Sequence, residues 1–335
     1  MSRMVSLLTA SGTSVSGGHL YNRRMLAAAP RYGTEMQVVQ VDEVSDLTNV
    51  AGQVVIDSLV AASVAGKLPH EPGPLAALVH QVPGGADGSM RARRARHAAD
   101  LHLYGMCRLV IAASTYLEDE LVQAGVPRSH IEVVPPGCDP APVADSPPVD
   151  LREGRKLALL NVANWLPNKG ILQLLDVMDS LPTDDVVLHL VGARDVDPRY
   201  TRRIERRLWD VGDRVVVHGE APPEAVAGLY AAADALVIAS QSEGYATVVA
   251  EALRAGLPVL GWGVGNIPNL MSDGDEGRLF QPGDTDGLAG AIVNLVRDDD
   301  MRARFASRAA ATGRQLPTWE ETGDRFFEVL GRIGR

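Results

Sequence analysis

The stretch SEGYATVVAEALRAGLPVLG, residues 242–261, contains a loop, a helix and the beginning of a strand. The apolar run ALVIAS (235–240) before it predicts a buried strand, and LPVLGW (257–262) predicts the next one. Between them, the segment from Thr247 to about Arg254 predicts a helix that Gly256 and Pro258 end. Strand, helix and strand in this order are typical of a parallel α/β sheet.

The same alternation continues in both directions from this stretch. We predict further strands at 4–10, 36–41, 54–60, 75–82, 108–114, 131–137, 156–164, 186–193 and 214–220, with helices such as 17–33 and 115–125 between them. The Pro-rich segment PPGCDPAPVADSPPVD (135–150) resembles a linker. The sequence therefore predicts two doubly wound α/β domains, 1–145 and 146–312, followed by a C-terminal helical segment, 313–335. In such sheets ligands bind beyond the carboxyl ends of the strands, so we expect the site in a cleft between the two domains.

Length and composition agree with this architecture. A chain of 335 residues is too long for one ordinary core, and 46% hydrophobic with only 4% aromatic residues implies aliphatic packing of helices on parallel strands. The net charge of −10 argues against a general nucleic-acid-binding protein.

Cellular context is also an expectation from sequence. Cys107 and Cys138 form neither a disulfide framework nor a metal-binding spacing, which favours a reducing compartment. We find no apolar stretch of about 18 residues and no signal-peptide pattern, so we expect a cytoplasmic protein.

Two glutamates, Glu243 and Glu251, stand eight positions apart in the opening stretch. Gly244 permits a tight turn, after which the N–H groups of residues 245–247 are unpaired at a helix N-terminus and suit an anion such as phosphate. Eight helical residues rise about 12 Å, whereas glycosidase carboxylates lie roughly 5–9.5 Å apart. The spacing favours two contacts on one extended ligand over a shared reacting atom. The alternative is a capping acid followed by a solvated acid.

Three other glycine-containing turns follow predicted strands. In NVANWLPNKGILQLLDVM (161–178), Lys169 stands at a helix start, where the helix dipole disfavours a cation and a bound anion would offset that cost. The alternative is an exposed surface lysine. In SVSGGHLYNRRM (14–25), Gly17 and Gly18 permit close approach of a ligand ahead of a helix, and GWGVGNIP (261–268) is a similar turn. Neither of the last two is specific by itself.

Taken together, these segments resemble the family-four retaining glycosyltransferases of GT-B fold, which have two facing Rossmann-like domains. The block at 242–261 resembles their E-x7-E motif, and VANWLPNKG (162–170) resembles their VGRxxxxKG loop. The resemblance covers nearly the whole chain in order. It implies an acceptor-side N-terminal domain, a nucleotide-sugar-binding C-terminal domain, and a last helix that packs back on the first domain. The alternative is a helix that caps its own domain.

The resemblance also implies roles for individual residues. Glu251 would bind ribose hydroxyls, Glu243 the hydroxyls of the donor sugar, and Lys169 the diphosphate. His80 would lie near the sugar, unless it is only structural. The remaining donor-binding residues would be Gly17, Gly18, Gly244, Tyr245, Ala246 and Thr247.

One departure from the family concerns charge. Asn164 stands where the family has a diphosphate-binding arginine, and Arg194, in LVGARD, is the candidate to supply the missing cation. The family's glycine pair is Gly265–Asn266 here, and its following glutamate is Asn269.

The function implied is transfer of a sugar from a UDP- or GDP-sugar to a small-molecule, glycan or lipid-linked acceptor, with retained configuration and with neither metal nor cofactor. Alternatives are a sugar phosphorylase, a nucleotide-sugar epimerase, or a degenerate non-catalytic subunit, which Asn164 supports. The basic run MRARRARHAADLH (90–102) would suit an anionic lipid surface, such as the inner membrane face, or an acidic acceptor. A solvated helix face is the favoured interpretation.

Overall fold

The structure is a computed structural model that describes residues 3–10, 16–41, 47, 50, 52–64, 67–68, 74–86, 88–139 and 150–333. The chain divides into two compact units. Unit 1 comprises Met1–Gly137 and Pro317–Arg335, and unit 2 comprises Cys138–Leu316. The predicted junction near residue 145 and most of the predicted linker lie outside the described residues.

Unit 1 contains a six-stranded parallel sheet in the order β2-β1-β3-β4-β5-β6. Its strands are β1 (Arg3–Thr9), β2 (Thr34–Gln40), β3 (Gln53–Asp57), β4 (Leu75–Val79), β5 (Leu109–Ala112) and β6 (Ile131–Val133). Its helices are α1 (Gly17–Ala28), α2 (Ala61–Val64), α3 (Met90–Met106), α4 (Thr115–Gln123) and the C-terminal α12 (Trp319–Ile333).

Unit 2 contains a second six-stranded parallel sheet, in the order β12-β11-β10-β7-β8-β9. Its strands are β7 (Leu157–Val162), β8 (Val186–Val191), β9 (Val215–Gly219), β10 (Ala235–Ile238), β11 (Val259–Trp262) and β12 (Gly277–Phe280). Its helices are α5 (Ile171–Ser180), α6 (Pro198–Val211), α7 (Pro223–Ala232), α8 (Thr247–Arg254), α9 (Ile267–Leu270), α10 (Thr285–Arg297) and α11 (Asp299–Gly313).

Burial explains why the central strands read as continuous apolar runs. Every residue of β3, β4 and β5 is buried, and so is every residue of β8, β10 and β11. A parallel strand with helices on both faces has no solvent side, so its sequence does not alternate. This arrangement confirms the predicted α/β class.

Helix α12 completes the core of unit 1. Phe326, Phe327 and Leu330 are buried in the same cluster as Val5 and Leu7 of β1. The chain approaches closely where the helix begins, because a Cβ atom on Gly137 would lie 2.3 Å from the backbone nitrogen of Trp319. The last helix therefore belongs to the first unit, although it follows the second in sequence.

Several element boundaries differ from the sequence predictions. Strand β3 ends at Asp57, and residues 58–60 form a turn in which the Leu59 N–H donates to the Asp57 carboxylate over 2.9 Å. Of the apolar residues after Asp57, Val60 is buried outside the ladder and Leu59 is exposed, so hydropathy extended the predicted strand too far. Strand β12 was missed because it is short, begins with glycine and exposes Arg278.

Candidate functional site

The loops of interest in unit 2 follow β7 and β10. These strands are neighbours in the sheet, paired through Ala235 with Leu159 and Leu236 with Leu160, although β8 and β9 come between them in sequence. The strand order reverses at this point, and the two connections leave toward opposite faces. Ligands of doubly wound sheets bind in the crevice at such a switch point. The topology thus brings together the loops that carry Lys169 and Glu243.

Lys169 and Glu243 form an ion pair, with 2.7 Å between Nζ and Oε1. The lysine side chain is 26% exposed and the glutamate side chain 10%, so water screens the pair only partly. The backbone N–H of Gln241 donates to the Asn168 carbonyl over 2.7 Å, which ties the two loops together. Sequence analysis assigned a bound anion to offset the lysine charge. Within the chain Glu243 supplies an opposite charge, and the bound anion stays a prediction.

Helix α8 begins at Thr247 and ends at Arg254, as the sequence predicted. Its N-cap residue Ala246 has a left-handed backbone (φ 68°), and no side chain caps the helix. Gly244 lies in the bend before the helix, as predicted, but the positive φ of this turn is at Ala246. An uncapped helix start leaves backbone N–H groups available to an anionic ligand.

The loop after β11 packs against the turn that precedes α8 and bonds to its backbone. The Asn266 backbone N–H donates to the Glu243 carbonyl over 3.1 Å, and its side-chain amide donates to the Tyr245 carbonyl over 3.2 Å. A Cβ atom on Gly265 would lie 1.9 Å from the Glu243 carbonyl oxygen. The Tyr245 side chain is buried in the core, so this residue presents backbone rather than side chain to the loop.

Glu251 occupies a different environment, about one turn after the start of α8. Its carboxylate is partly buried and accepts a hydrogen bond of 3.0 Å from the hydroxyl of Tyr230. Burial raises the pKa of Glu251 to about 7, while the Tyr230 hydrogen bond opposes the rise. The alternative of a solvated acid is therefore wrong. Sequence analysis did not identify Tyr230, because nothing local in α7 marks it.

Asn164 and Arg194 follow β7 and β8. The Asn164 side-chain oxygen accepts the Ala193 N–H over 3.0 Å, so it joins the two loops. Arg194 pairs with Glu205 over 2.8 Å, and its guanidinium lies over the Trp165 ring, 5.0 Å from the centroid. Arg194 thus forms an ion pair with Glu205 within unit 2, and its role as the substitute cation stays a prediction.

Unit 1 brings Gly18 and His80 into contact. Helix α1 begins at Gly17, and the side chain of Ser16 caps it by accepting the His19 N–H. A Cβ atom on Gly18 would lie 3.0 Å from Cδ2 of His80, so a larger residue would displace the imidazole. Burial lowers the pKa of His80, against an opposing effect of Asp57. Burial therefore favours the neutral form of the His80 imidazole, which lies beside the Gly17–Gly18 turn.

A buried polar network stands behind His80. Asp57 is fully buried and accepts hydrogen bonds from the Asn22 amide over 2.5 Å and from the Thr9 hydroxyl over 3.2 Å. Because the amide nitrogen of Asn22 faces Asp57, its oxygen faces Nε2 of His80, at 3.4 Å. That oxygen only accepts, so this contact favours the tautomer of His80 that carries its proton on Nε2. Sequence analysis missed Asn22 and Asp57, although an aspartate inside the run VVIDSLV was a signal.

Two known families match this chain, and each match lies mainly in one of the two units. The description "Glycosyl transferases group 1" matches residues 145–312, within unit 2, and "Glycosyltransferase Family 4" matches residues 56–142. The chain belongs to the group 1 glycosyl transferases. The matched segments include Lys169, Glu243 and Glu251, together with Asp57 and His80, but not Gly17 and Gly18.

Relatives of this group 1 chain are larger proteins. A D-inositol 3-phosphate glycosyltransferase of Xylanimonas cellulosilytica is 30% identical over 67% of this chain and 56% of its own length. A mannosylfructose-phosphate synthase of Agrobacterium fabrum is 27% identical over 69% and 54%, respectively. The chain thus spans a little over half the length of these relatives.

Solved structures show the same GT-B fold. Sucrose-phosphate synthase from Thermosynechococcus elongatus superposes with a TM-score of 0.80 at 19% identity, over 99% of both chains. HepE of Anabaena, solved with UDP and glucose, superposes with a TM-score of 0.80 at 20% identity, over 98% of this chain and 100% of that one. At such identities the likeness concerns the fold alone.

In this group 1 member, part of the basic run at 90–102 has a structural role. Arg93, Arg96 and His97 of α3 contact the carbonyls of residues 83–85, at 3.0–3.2 Å. They hold the loop that follows His80, whereas Arg91 and Arg94 are exposed. The interpretation of the whole run as a solvated helix face is therefore incomplete, because part of the run binds this loop. No described helix is both long and apolar enough to cross a membrane.

Proposed function

We propose that this chain is a retaining glycosyltransferase that moves a sugar from a UDP- or GDP-sugar to a nucleophilic acceptor. The observation that carries the proposal is the Lys169–Glu243 pair beside the uncapped start of α8, at the switch point of the sheet. Family membership and the glycosyltransferase names of several relatives support it.

The pair suggests how a donor enters. A diphosphate carries more charge than one carboxylate, so it attracts Lys169 away from Glu243. The released Glu243 carboxylate then accepts hydrogen bonds from sugar hydroxyls. Without a ligand, each member of the pair offsets the charge of the other, so neither is left unpaired in a partly buried position.

The chemistry needs stabilisation of the departing diphosphate. As the glycosidic bond breaks, negative charge builds on the diphosphate and the sugar becomes oxocarbenium-like. Lys169 and the backbone N–H groups of Tyr245, Ala246 and Thr247 stabilise that charge. We propose attack on the same face of the sugar, with a diphosphate oxygen taking the acceptor proton, and no requirement for a metal ion.

Glu251 is assigned to the ribose of the donor. A carboxyl group with a pKa of about 7 serves ribose hydroxyls both as an acceptor and, when protonated, as a donor. The roles of Gly17, Gly18 and His80 toward phosphates and sugar stay predictions, as do the acceptor and the cellular location.

The test is release of UDP or GDP from a panel of nucleotide sugars, with and without acceptors. We expect Lys169→Ala to lower turnover roughly 100–1,000-fold, the range for loss of one charge-stabilising group. The matched control is Lys156→Ala, which removes an exposed lysine paired with Asp185 in the same unit. Calorimetry with UDP and GDP should show weaker binding by Glu251→Ala. The proposal fails if no donor releases its nucleotide, or if Lys169→Ala turns over like the wild type.

A further inference from the structure

A second surface of unit 2 combines basic and aromatic side chains on α6. Arg199, Arg202, Arg206 and Trp209 line an open depression of about 620 Å³ together with Glu205. We call these three arginines and Trp209 the arginine face of α6. None of them belongs to the site at the Lys169–Glu243 pair.

The helix geometry places the four side chains on one stripe. They recur at intervals of three, four and three residues, which keeps them on the same side of an α-helix over roughly 15 Å. The opposite side packs into the core through Tyr200, Ile204 and Val211. The stability of α6 therefore derives from the buried side, and the arginine face is not needed for packing.

Arg207 differs from the three arginines of this face because it forms ion pairs. Arg207 bonds to Asp176, Asp179 and Asp210 at 2.9–3.0 Å. Among the residues that the structure describes, no acid lies within ion-pair distance of Arg199, Arg202 or Arg206. Helix α6 carries five arginines and two acids, a net charge of +3 in a chain of net charge −10.

The helix dipole makes arginines near the N-terminus of α6 unfavourable. Asp197 caps α6, and Arg199 and Arg202 follow within its first turns, where a cation is unfavourable. A solvated helix face needs no such concentration of unpaired cations at its N-terminal end. The charges are better explained by an anionic partner outside the chain.

Trp209 indicates which anionic partner fits. Its side chain is 88% exposed, the highest exposure among the large hydrophobic residues described. Tryptophan is enriched at membrane–water interfaces, where the indole lies at the level of the headgroups. Clustered arginines are attracted to the surface of anionic lipids. We propose that the arginine face of α6 binds the anionic surface of a lipid bilayer.

Vesicle binding by the full chain tests this proposal. We expect binding to vesicles of equal parts phosphatidylglycerol and phosphatidylcholine, weak binding to phosphatidylcholine alone, and weakening with added salt. Arg202→Gln with Arg206→Gln should lower the partition coefficient about 25-fold, because each basic residue near an anionic surface contributes roughly five-fold. Trp209→Ala should remove most of the blue shift of tryptophan emission, since Trp165 and Trp262 are fully buried.

The matched control is Arg91→Gln with Arg94→Gln, which removes two exposed arginines from the other basic helix, α3. This variant should bind vesicles like the wild type. Because all four arginines are exposed, circular dichroism and melting temperature should be unchanged in both pairs. The proposal is overturned by equal binding to neutral vesicles, by unchanged binding of the α6 pair, or by loss of binding only in the α3 pair. Binding to a nucleic-acid duplex without binding to vesicles also overturns it.

Discussion

At the residue scale, Glu243 and Glu251 show how one segment supports two kinds of acid. Glu243 lies 2.7 Å from the Lys169 ammonium, whereas the hydrogen-bond partner of Glu251 is the Tyr230 hydroxyl. Burial raises the pKa of Glu251, and the hydrogen bond from Tyr230 opposes only part of that rise. The two glutamates therefore suit different parts of one donor.

Glu251 makes stability depend on pH. Its pKa is about 7 in the folded protein and near the model-peptide value of about 4.3 when unfolded. Between these values the folded chain keeps a proton that the unfolded chain loses, so the free energy of unfolding falls as pH rises from about 4 to 7. Glu251→Gln keeps an acceptor for Tyr230 and removes this titration. We expect the variant to gain on the order of 2 kcal/mol over the wild type between pH 5 and pH 8 in urea unfolding.

A gain that does not change with pH would contradict the assigned pKa of Glu251. Tyr230→Phe provides the control, because the Tyr230 hydrogen bond lowers the pKa of Glu251. Its removal should move the pH-dependent window upward.

The pKa of His80 and the position of its ring proton depend on Asp57, which is linked to the imidazole through Asn22. The negative charge of Asp57 raises the pKa of His80 against burial, so Asp57→Asn should lower that pKa further. Asparagine also has one acceptor oxygen where the carboxylate has two, and the Leu59 N–H already donates to one of them. The Asn22 amide should therefore be oriented less strictly, and the proton of the ring should be held less strictly on Nε2. Nitrogen-15 NMR of the imidazole reports both quantities. Thr9→Val removes one hydrogen bond to Asp57 and keeps the charge. An equal change in the pKa of His80 in both variants would argue against the charge effect.

At the element scale, the loop after β11 determines the shape of the turn before α8. Gly265 has a positive φ of 57° and contacts the Glu243 carbonyl, while Asn266 bonds to the carbonyls of Glu243 and Tyr245. The turn conformation, including the left-handed Ala246, thus depends on a neighbouring loop as well as on its own sequence.

Gly265→Ala should displace the loop after β11 from the turn before α8. The added Cβ meets backbone rather than a flexible side chain, so we expect a loss of about 2–4 kcal/mol in unfolding free energy and weaker nucleotide binding. Gly274→Ala is the control, because Gly274 also has a positive φ (89°) but no atom within 4 Å of the added Cβ. It should lose only about 1 kcal/mol from backbone strain. Equal losses in the two variants would mean that contact with Glu243 is unimportant.

At the scale of the whole molecule, the last helix, α12, belongs to unit 1 although it follows unit 2 in the sequence. Phe326 of α12 is fully buried with β1 residues, so unit 1 takes part of its core from the C-terminal segment of the chain. Leu288 of α10 is equally buried in the core of unit 2.

Phe326→Ala should destabilise unit 1 by about 3–5 kcal/mol, the range for removing a buried phenylalanine. Hydrogen exchange should then accelerate in β1 and β3 more than in β7 and β10. Leu288→Ala should show the reverse pattern at a loss of about 2–5 kcal/mol. If Phe326→Ala accelerated exchange chiefly in unit 2, the assignment of α12 to unit 1 would be wrong.

The sequence by itself determined the α/β class, most of the strands, the bounds of α8 and the loops that carry the candidate site. These follow from apolar runs, helix-ending glycine and proline, and the period of each element, all of which are local. Hydropathy overextended β3 and missed β12, because burial outside a ladder and a short edge strand leave no distinct local pattern.

Only the tertiary structure decided which groups meet. Lys169 and Glu243 are 74 positions apart, and they pair because β7 lies beside β10 in the sheet. His80 meets Asn22 across 58 positions for a comparable reason. The pKa of Glu251 likewise depends on how α7 and α8 bury its carboxyl group. Strand order and burial are properties of the packed chain, and the electrostatics of the site follow from them rather than from any motif.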